Sequence, residues 1–184
     1  METEKENYSS EAAERTLAFP VATYRTRELA ETMIYTVLAI AAPAILAHTP
    51  NNQWITGTIV NALLFIACFR VGIVNAIFIG LLPSAIALMR GLLPLPMVAM
   101  LPYIMIGNAA MVSAFGLIKI KSFLTRAMIA SVLKFGVIFG AVSLLVTVPH
   151  QIAIMMGWPQ LITALAGGLI AAGVGKVITT TQTK

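Results

Sequence analysis

The sequence predicts an all-α integral membrane protein, a bundle of six transmembrane helices with both termini in the cytoplasm. Its 184 residues are 59% hydrophobic and only 10% charged, with a mean hydropathy of +0.90, which is too apolar for a soluble globular domain. All seven carboxylates lie at or before Glu31, and no Asp or Glu follows. The apolar part therefore has cations without protein anions, so water, lipid phosphate or a ligand must neutralise them.

Apolar runs bounded by Gly, Pro or charged residues define the six helices. They cover residues 30–47, 54–69, 72–89, 97–118, 127–148 and 159–178. The second and third are the least clearly divided, because only Phe69-Arg70-Val71-Gly72 separates them. The chain thus comprises an acidic, partly disordered cytoplasmic tail at 1–29, a membrane domain at 30–178 and a short C-terminal tail at 179–184.

The positions of the cations predict the orientation, since cytoplasmic connections are enriched in Lys and Arg. Cations precede the first helix and occupy the second and fourth connections: Lys5, Arg15, Arg25, Arg27, Arg70, Lys119, Lys121 and Arg126. Only Arg90 falls on an outward connection, and Trp54 and Trp158 lie at the outer ends of the second and sixth helices. We therefore expect a multi-pass protein of the bacterial cytoplasmic membrane.

The outer side favours an anion, because the second, fourth and sixth helices begin there with their positive dipole ends. Asn51 or Asn52 can cap the second helix, and Pro159 suits the first turn of the sixth. Pro94 and Pro96 stiffen the connection at 90–96. This connection is either a lid over an outward pocket or an interfacial turn with Arg90 on lipid phosphate.

Polar side chains at membrane depth bond across helices or line a site. Those nearest the outer ends are the candidate ligand-binding residues: Thr56, Asn61, Ser84, Asn108 and Gln160. Arg90 and Lys134 are the candidate cations. In a helix, Lys134 lies ~12 Å beyond Arg126. One possibility is that its side chain extends toward the cytoplasm, where it contacts water or a partner's carboxylate. The other is that it points into the bundle and contacts a ligand. Arg90 lies near the outer lid, so one pocket need not hold both cations.

Small residues at a spacing of four predict close packing of the sixth helix, within the bundle or against another subunit. The two rows are Gly167, Ala171, Gly175 and Ala164, Gly168, Ala172. The numerous methionines are predicted to be adaptable packing residues, because no Cys or His accompanies them in sequence.

The composition also argues against several classes of function. The single Cys and two His leave too few ligands for a closed metal site, so no metal or cofactor is expected. The membrane region has no carboxylate for acid–base catalysis or ion coupling, and no catalytic motif is present, so we expect no enzyme. The cations lie between apolar segments, which indicates membrane orientation and no nucleic-acid binding.

The sequence resembles the substrate-binding S component of energy-coupling factor transporters, specifically small S-component-like bacterial membrane proteins, some labelled hydrogenase-associated. The resemblance covers about residues 30–178 and rests on size, topology and the strings NNQWITGTIVNALLF (51–65), IGLLPSAIALMRGLLP (79–94), MLPYIMIGN (100–108), SVLKF (131–135) and GWPQLITALAGGL (157–169). It implies a pocket that opens outward and is closed by the connections at 48–53, 90–96 and 149–157. The first helix lacks the Ala-x-x-x-Ala pair often present in that family.

We therefore expect a membrane subunit that captures a small, vitamin-like or anionic solute, powered by a coupling membrane subunit and cytoplasmic ATPases. Arg90 and Lys134 would neutralise the solute, whereas Asn61, Asn108 and Gln160 would orient it. The alternative is an anchor or assembly subunit of a hydrogenase-type redox complex, with haem between His48 and His150 and the acidic tail docking a cytoplasmic subunit. A third possibility is a purely structural bundle.

Overall fold

The computed structural model describes residues 26–46, 49, 52–91 and 95–182, and within them the regular secondary structure is helical, with no strand. The helices are α1 (Thr26–Leu46), α2 (Asn52–Met89), α3 (Leu95–Val98), α4 (Leu101–Leu117), α5 (Phe123–Leu144), α6 (His150–Met155) and α7 (Trp158–Gln182). The all-α prediction is confirmed. The predictions for most of the acidic tail, for His48, Asn51 and Pro94, and for the last two residues lie outside the described part.

The long helix α2 is a hairpin of two arms that meet at Gly72. Gly72 has φ 84° and ψ 173°, a conformation that glycine adopts far more readily than other residues. A Cβ on Gly80 would lie 3.2 Å from Leu64 Cδ2, although sixteen helical residues would extend ~24 Å. The predicted division between the second and third helices is therefore present at Gly72.

The other helices follow the predicted segments with shifted ends. The predicted helix at 97–118 is two helices, α3 and α4, because Pro102 has no N–H to continue the hydrogen-bond ladder from α3. α5 begins at Phe123, where Ser122 Oγ accepts a hydrogen bond from Thr125 N at 3.2 Å. Pro159 lies in the first turn of α7, as predicted, and the outer connection at 149–157 contains the short helix α6.

Four helical stretches of the described chain are long and apolar enough to cross a membrane: Thr26–Leu46, Asn52–Ile86, Phe123–Leu144 and His150–Lys176. Asn52–Ile86 contains the bend at Gly72, and α4 is an apolar helix of 17 residues. Length and composition are thus those of an all-α membrane protein. The number of crossings and the side on which each terminus lies stay predictions.

Close packing of α7 against α2 joins the centre of the bundle. A Cβ on Gly167 would lie 2.7 Å from both Ala62 N and Asn61 Cβ, so only glycine allows these backbones to approach this closely. A Cβ on Gly168 would likewise lie 2.9 Å from Ala127 Cβ on α5. The predicted close packing of these small residues within the bundle is confirmed at both glycines.

Candidate functional site

A cavity of about 470 Å³ lies at the end of the bundle opposite Gly72. Its wall combines both arms of α2 with residues from α1, α3, α4, α5, α6 and α7. The helix ends at Leu46, Asn52, Met89 and Leu95 lie at this same end, as does the described connection at 149–157. The cavity therefore lies at the end of the bundle where the sequence predicted a pocket, and the side of the membrane that this end faces stays a prediction.

Most of the side chains predicted to bind a ligand line this cavity. They are Thr56, Asn61, Ser84, Asn108, Lys134 and Gln160. Arg90 does not line it: it follows the last turn of α2 and is exposed. The structure thus brings together the predicted amides, hydroxyls and Lys134 but leaves the second predicted cation outside. A role of Arg90 in ligand binding stays a prediction that the cavity does not support.

Lys134 is the charged group of the cavity, and it points into the bundle. Its side chain is 4% exposed, and Nζ donates a hydrogen bond of 2.6 Å to Oδ1 of Asn61, which is itself 1% exposed. Lys134 lies ten residues before the end of α5, which places it ~15 Å from the cavity end of that helix. Of the two orientations left open by the sequence, the structure has the interior one.

Within the described residues, no carboxylate neutralises Lys134. The acidic residues of this part are Glu28 and Glu31, and Glu31 bonds Arg70 at the opposite end of the bundle. Asn61 supplies a neutral oxygen, which satisfies one of the three ammonium donors but not the charge. A buried cation without a counter-charge is costly, and an anionic or carbonyl oxygen in the cavity would lower that cost.

Asn108 presents an acceptor without a partner. Its side chain is 5% exposed, and Nδ2 donates to the carbonyl oxygen of Gly80 at 3.1 Å. Only the NH₂ group can donate to a carbonyl, so this bond fixes which way the amide points. Oδ1 is buried and has no hydrogen-bond partner among the described residues. Asn108 is therefore oriented to receive a donor.

The mouth of the cavity contains residues that the sequence interpretation did not select. Gln53 Nε2 donates to the carbonyl oxygen of Met155 at 2.8 Å, which ties the first turn of α2 to α6. Met97, Met155 and Met156, predicted as packing residues, line the cavity as well. A signal for Gln53 was present, since Gln53, Thr56, Val60 and Asn61 follow the spacing of one helical face.

The haem site of the redox alternative stays a prediction, because the structure describes only one of its two histidines. His150 is exposed at the start of α6, and His48 lies outside the described residues. Within the part of the chain that the structure describes, no group of three or more His, Cys, Asp or Glu side chains could hold a metal ion. Cys68 is buried near the opposite end, where Sγ lies 3.5 Å from the carbonyl oxygen of Val112.

Comparisons with protein-family models, curated proteins and solved structures find no match to this chain. The similarity to S components therefore rests on the sequence strings and predicted topology alone.

Proposed function

We propose that this protein is the solute-capturing subunit of a membrane uptake transporter and that the cavity around Lys134 binds a small anionic or strongly hydrogen-bonding solute. One observation carries the proposal: a buried cation that lines a cavity and has a neutral amide as its hydrogen-bond partner. A volume of about 470 Å³ falls within the ~300–1,000 Å³ usual for small-molecule sites. The protein has no catalytic chemistry of its own.

The proposed topology has six crossings of the bacterial cytoplasmic membrane, with both termini in the cytoplasm and the cavity open to the outside. The bend at Gly72 supports it, because the arms of α2 then cross as separate helices. The exposed cations Lys119 and Lys121 follow α4 at the end remote from the cavity, as expected for a cytoplasmic surface. Exposed Trp54 and Trp158 lie at the cavity end, where interfacial aromatic residues are expected.

Movement of the solute into the cell requires partners under this proposal. The sequence contains no nucleotide-binding motif, so a coupling membrane subunit and two cytoplasmic ATPases would supply the energy. The exposed apolar surface of α1, which includes Met33, Val37 and Ile45, contacts lipid or that coupling subunit.

Native mass spectrometry of the full chain, extracted gently from its membrane, tests this function because it detects small molecules and partner subunits together. We expect a one-to-one solute adduct and co-purification of an ATPase pair. A protein that carries neither after mild extraction contradicts the proposal. A Soret absorption band would support the redox-anchor alternative instead, because it reports bound haem.

A further inference from the structure

Asn108 and Lys134 form adjacent parts of one cavity wall. A Cβ on Gly107 would lie 3.5 Å from Lys134 Cγ, so α4 and α5 touch at the level of these side chains. Lys134 is bonded to Asn61 on the first arm of α2, and Asn108 is bonded to Gly80 on its second arm. Both residues line the same cavity, so a molecule that fills it lies against both.

The two groups require opposite partners. A lysine ammonium only donates hydrogen bonds, so it pairs with an anionic or carbonyl oxygen. The bond to Gly80 uses one of the two Nδ2 protons of Asn108, whereas Oδ1, which only accepts, has no partner among the described residues. A simple anion such as sulfate or nitrate offers acceptors alone and would leave Oδ1 of Asn108 unsatisfied. A ligand that satisfies the whole wall carries both an acceptor and a donor.

We propose that Asn108 is a specificity-determining residue: the solute places an acidic or carbonyl oxygen on Lys134 and an N–H or O–H donor on Asn108 Oδ1. This inference rests on the proposed function and narrows the solute to an organic molecule with both groups. A site built around a hydrogen bond rejects the analogue that lacks it, because a buried polar atom is then left unpaired. We therefore expect the wild-type protein to bind a ligand with this donor more than tenfold more tightly than the analogue without it.

The first test compares the full-length wild type with Asn108→Leu and Asn75→Leu. Asn75 is the matched control, since its Nδ2 also donates to a backbone carbonyl, that of Val71 at 2.8 Å, but its side chain does not line the cavity. We expect the solute released from wild-type protein to contain both groups, and its load to fall at least tenfold in Asn108→Leu alone. Equal loads in the two variants, or a released solute without a donor, overturn the inference.

A second test does not depend on how Asn108→Leu folds. The released solute is methylated at its N–H or O–H donor, and both compounds are bound to solute-depleted wild type, Asn75→Leu and Asn108→Ala. We expect at least tenfold preference for the parent compound in the first two proteins and less than threefold in Asn108→Ala, which also has room for the methyl group. Equal binding of both compounds to wild type overturns the inference. A wild type with no solute instead contradicts the function itself.

Discussion

The two ends of the bundle each hold a partly or fully buried cation, but the environments of these cations differ. At the Gly72 end, Arg70 makes a two-pronged contact with Glu31, with Nη2–Oε1 at 2.6 Å and Nε–Oε2 at 3.1 Å. At the cavity end, Lys134 bonds only the neutral Oδ1 of Asn61 among the described residues. Arg70 is thus paired with a carboxylate, whereas Lys134 has no carboxylate partner within the part of the chain that the structure describes.

The contrast separates a structural cation from one available to a ligand. A bidentate arginine–carboxylate pair fixes the start of α1 against the hairpin, and its charge is already used. Arg126 at the same end makes a cation–π contact with the Phe115 ring at 4.7 Å, although its buried Nε has no hydrogen-bond partner among the described residues. A lysine that faces a cavity and an amide gains most from an anion supplied from outside.

The largest expected effect is at Lys134. Lys134→Met should weaken solute binding about 100-fold or more, because the cation that pairs with the solute is removed. Stability should change little, because removal of a buried charge offsets the loss of the hydrogen bond to Asn61 Oδ1. Binding of the released solute to purified protein, with the thermal unfolding midpoint as the second readout, measures both.

Lys121→Met is the matched control for Lys134→Met. Lys121 is exposed beyond the opposite end of the bundle, so its loss should leave solute binding unchanged. Equal weakening by the two substitutions would show that overall charge, and not the cavity cation, governs binding.

The next largest effect concerns the packing that holds Asn61 in place. Gly167→Ala should lower the free energy of unfolding by about 1–3 kcal/mol, because the added methyl group meets the backbone of α2. It should also reduce the solute load, since its Cβ would lie 2.7 Å from Asn61 Cβ. Denaturant titration in detergent and native mass spectrometry provide the two readouts.

Gly173→Ala serves as the control on the same helix, because a Cβ there meets nothing within 4 Å. Its stability should stay level or rise slightly, as alanine favours helix more than glycine. If both variants lost the same stability, the close contact of α7 with α2 would not be the cause.

At the Gly72 end, Glu31→Gln should lower the free energy of unfolding by about 1–2 kcal/mol, because the charge-assisted bonds to Arg70 weaken. Solute binding should not change, since this pair is remote from the cavity. Glu28→Gln, at an exposed position of the same helix, should alter neither property. A loss of solute binding in Glu31→Gln would mean that the two ends do not act separately.

The smallest effect is expected at Arg90. Because Arg90 is exposed and does not line the cavity, Arg90→Gln should change the solute dissociation rate less than twofold. A modest, salt-dependent decrease in the association rate is expected from loss of a positive charge at the cavity end. Stopped-flow binding at two ionic strengths separates the two rates. A strong increase in dissociation would restore Arg90 to the binding site.

Much of the fold could be predicted from the sequence because the length of an apolar segment and the backbone freedom of glycine are local properties. The six segments follow from hydrophobic runs, and the conformation of Gly72 matches the division expected beside Arg70. The ends of α4 and α5 were less predictable, since tertiary packing and caps such as Ser122 decide where an apolar helix stops.

The sequence selected six of the residues that line the cavity but did not predict which side chains bond to one another. Polar residues at membrane depth face the interior, which is why Asn61, Asn108 and Lys134 could be selected. The hydrogen bonds of these side chains could not be predicted. Lys134 and Asn61 are 73 residues apart in sequence, and their bond depends on how α2 and α5 pack. The Glu31–Arg70 pair was missed for the same reason, as was the exclusion of Arg90 from the cavity.

A structure of the full chain with its co-purified solute examines the role of Lys134 most directly. We expect an anionic or carbonyl oxygen of the solute within about 3 Å of Lys134 Nζ, the distance of a charge-assisted hydrogen bond. A solute bound elsewhere, with only water, lipid or detergent in the cavity and Lys134 still bonded to Asn61 alone, would contradict that role.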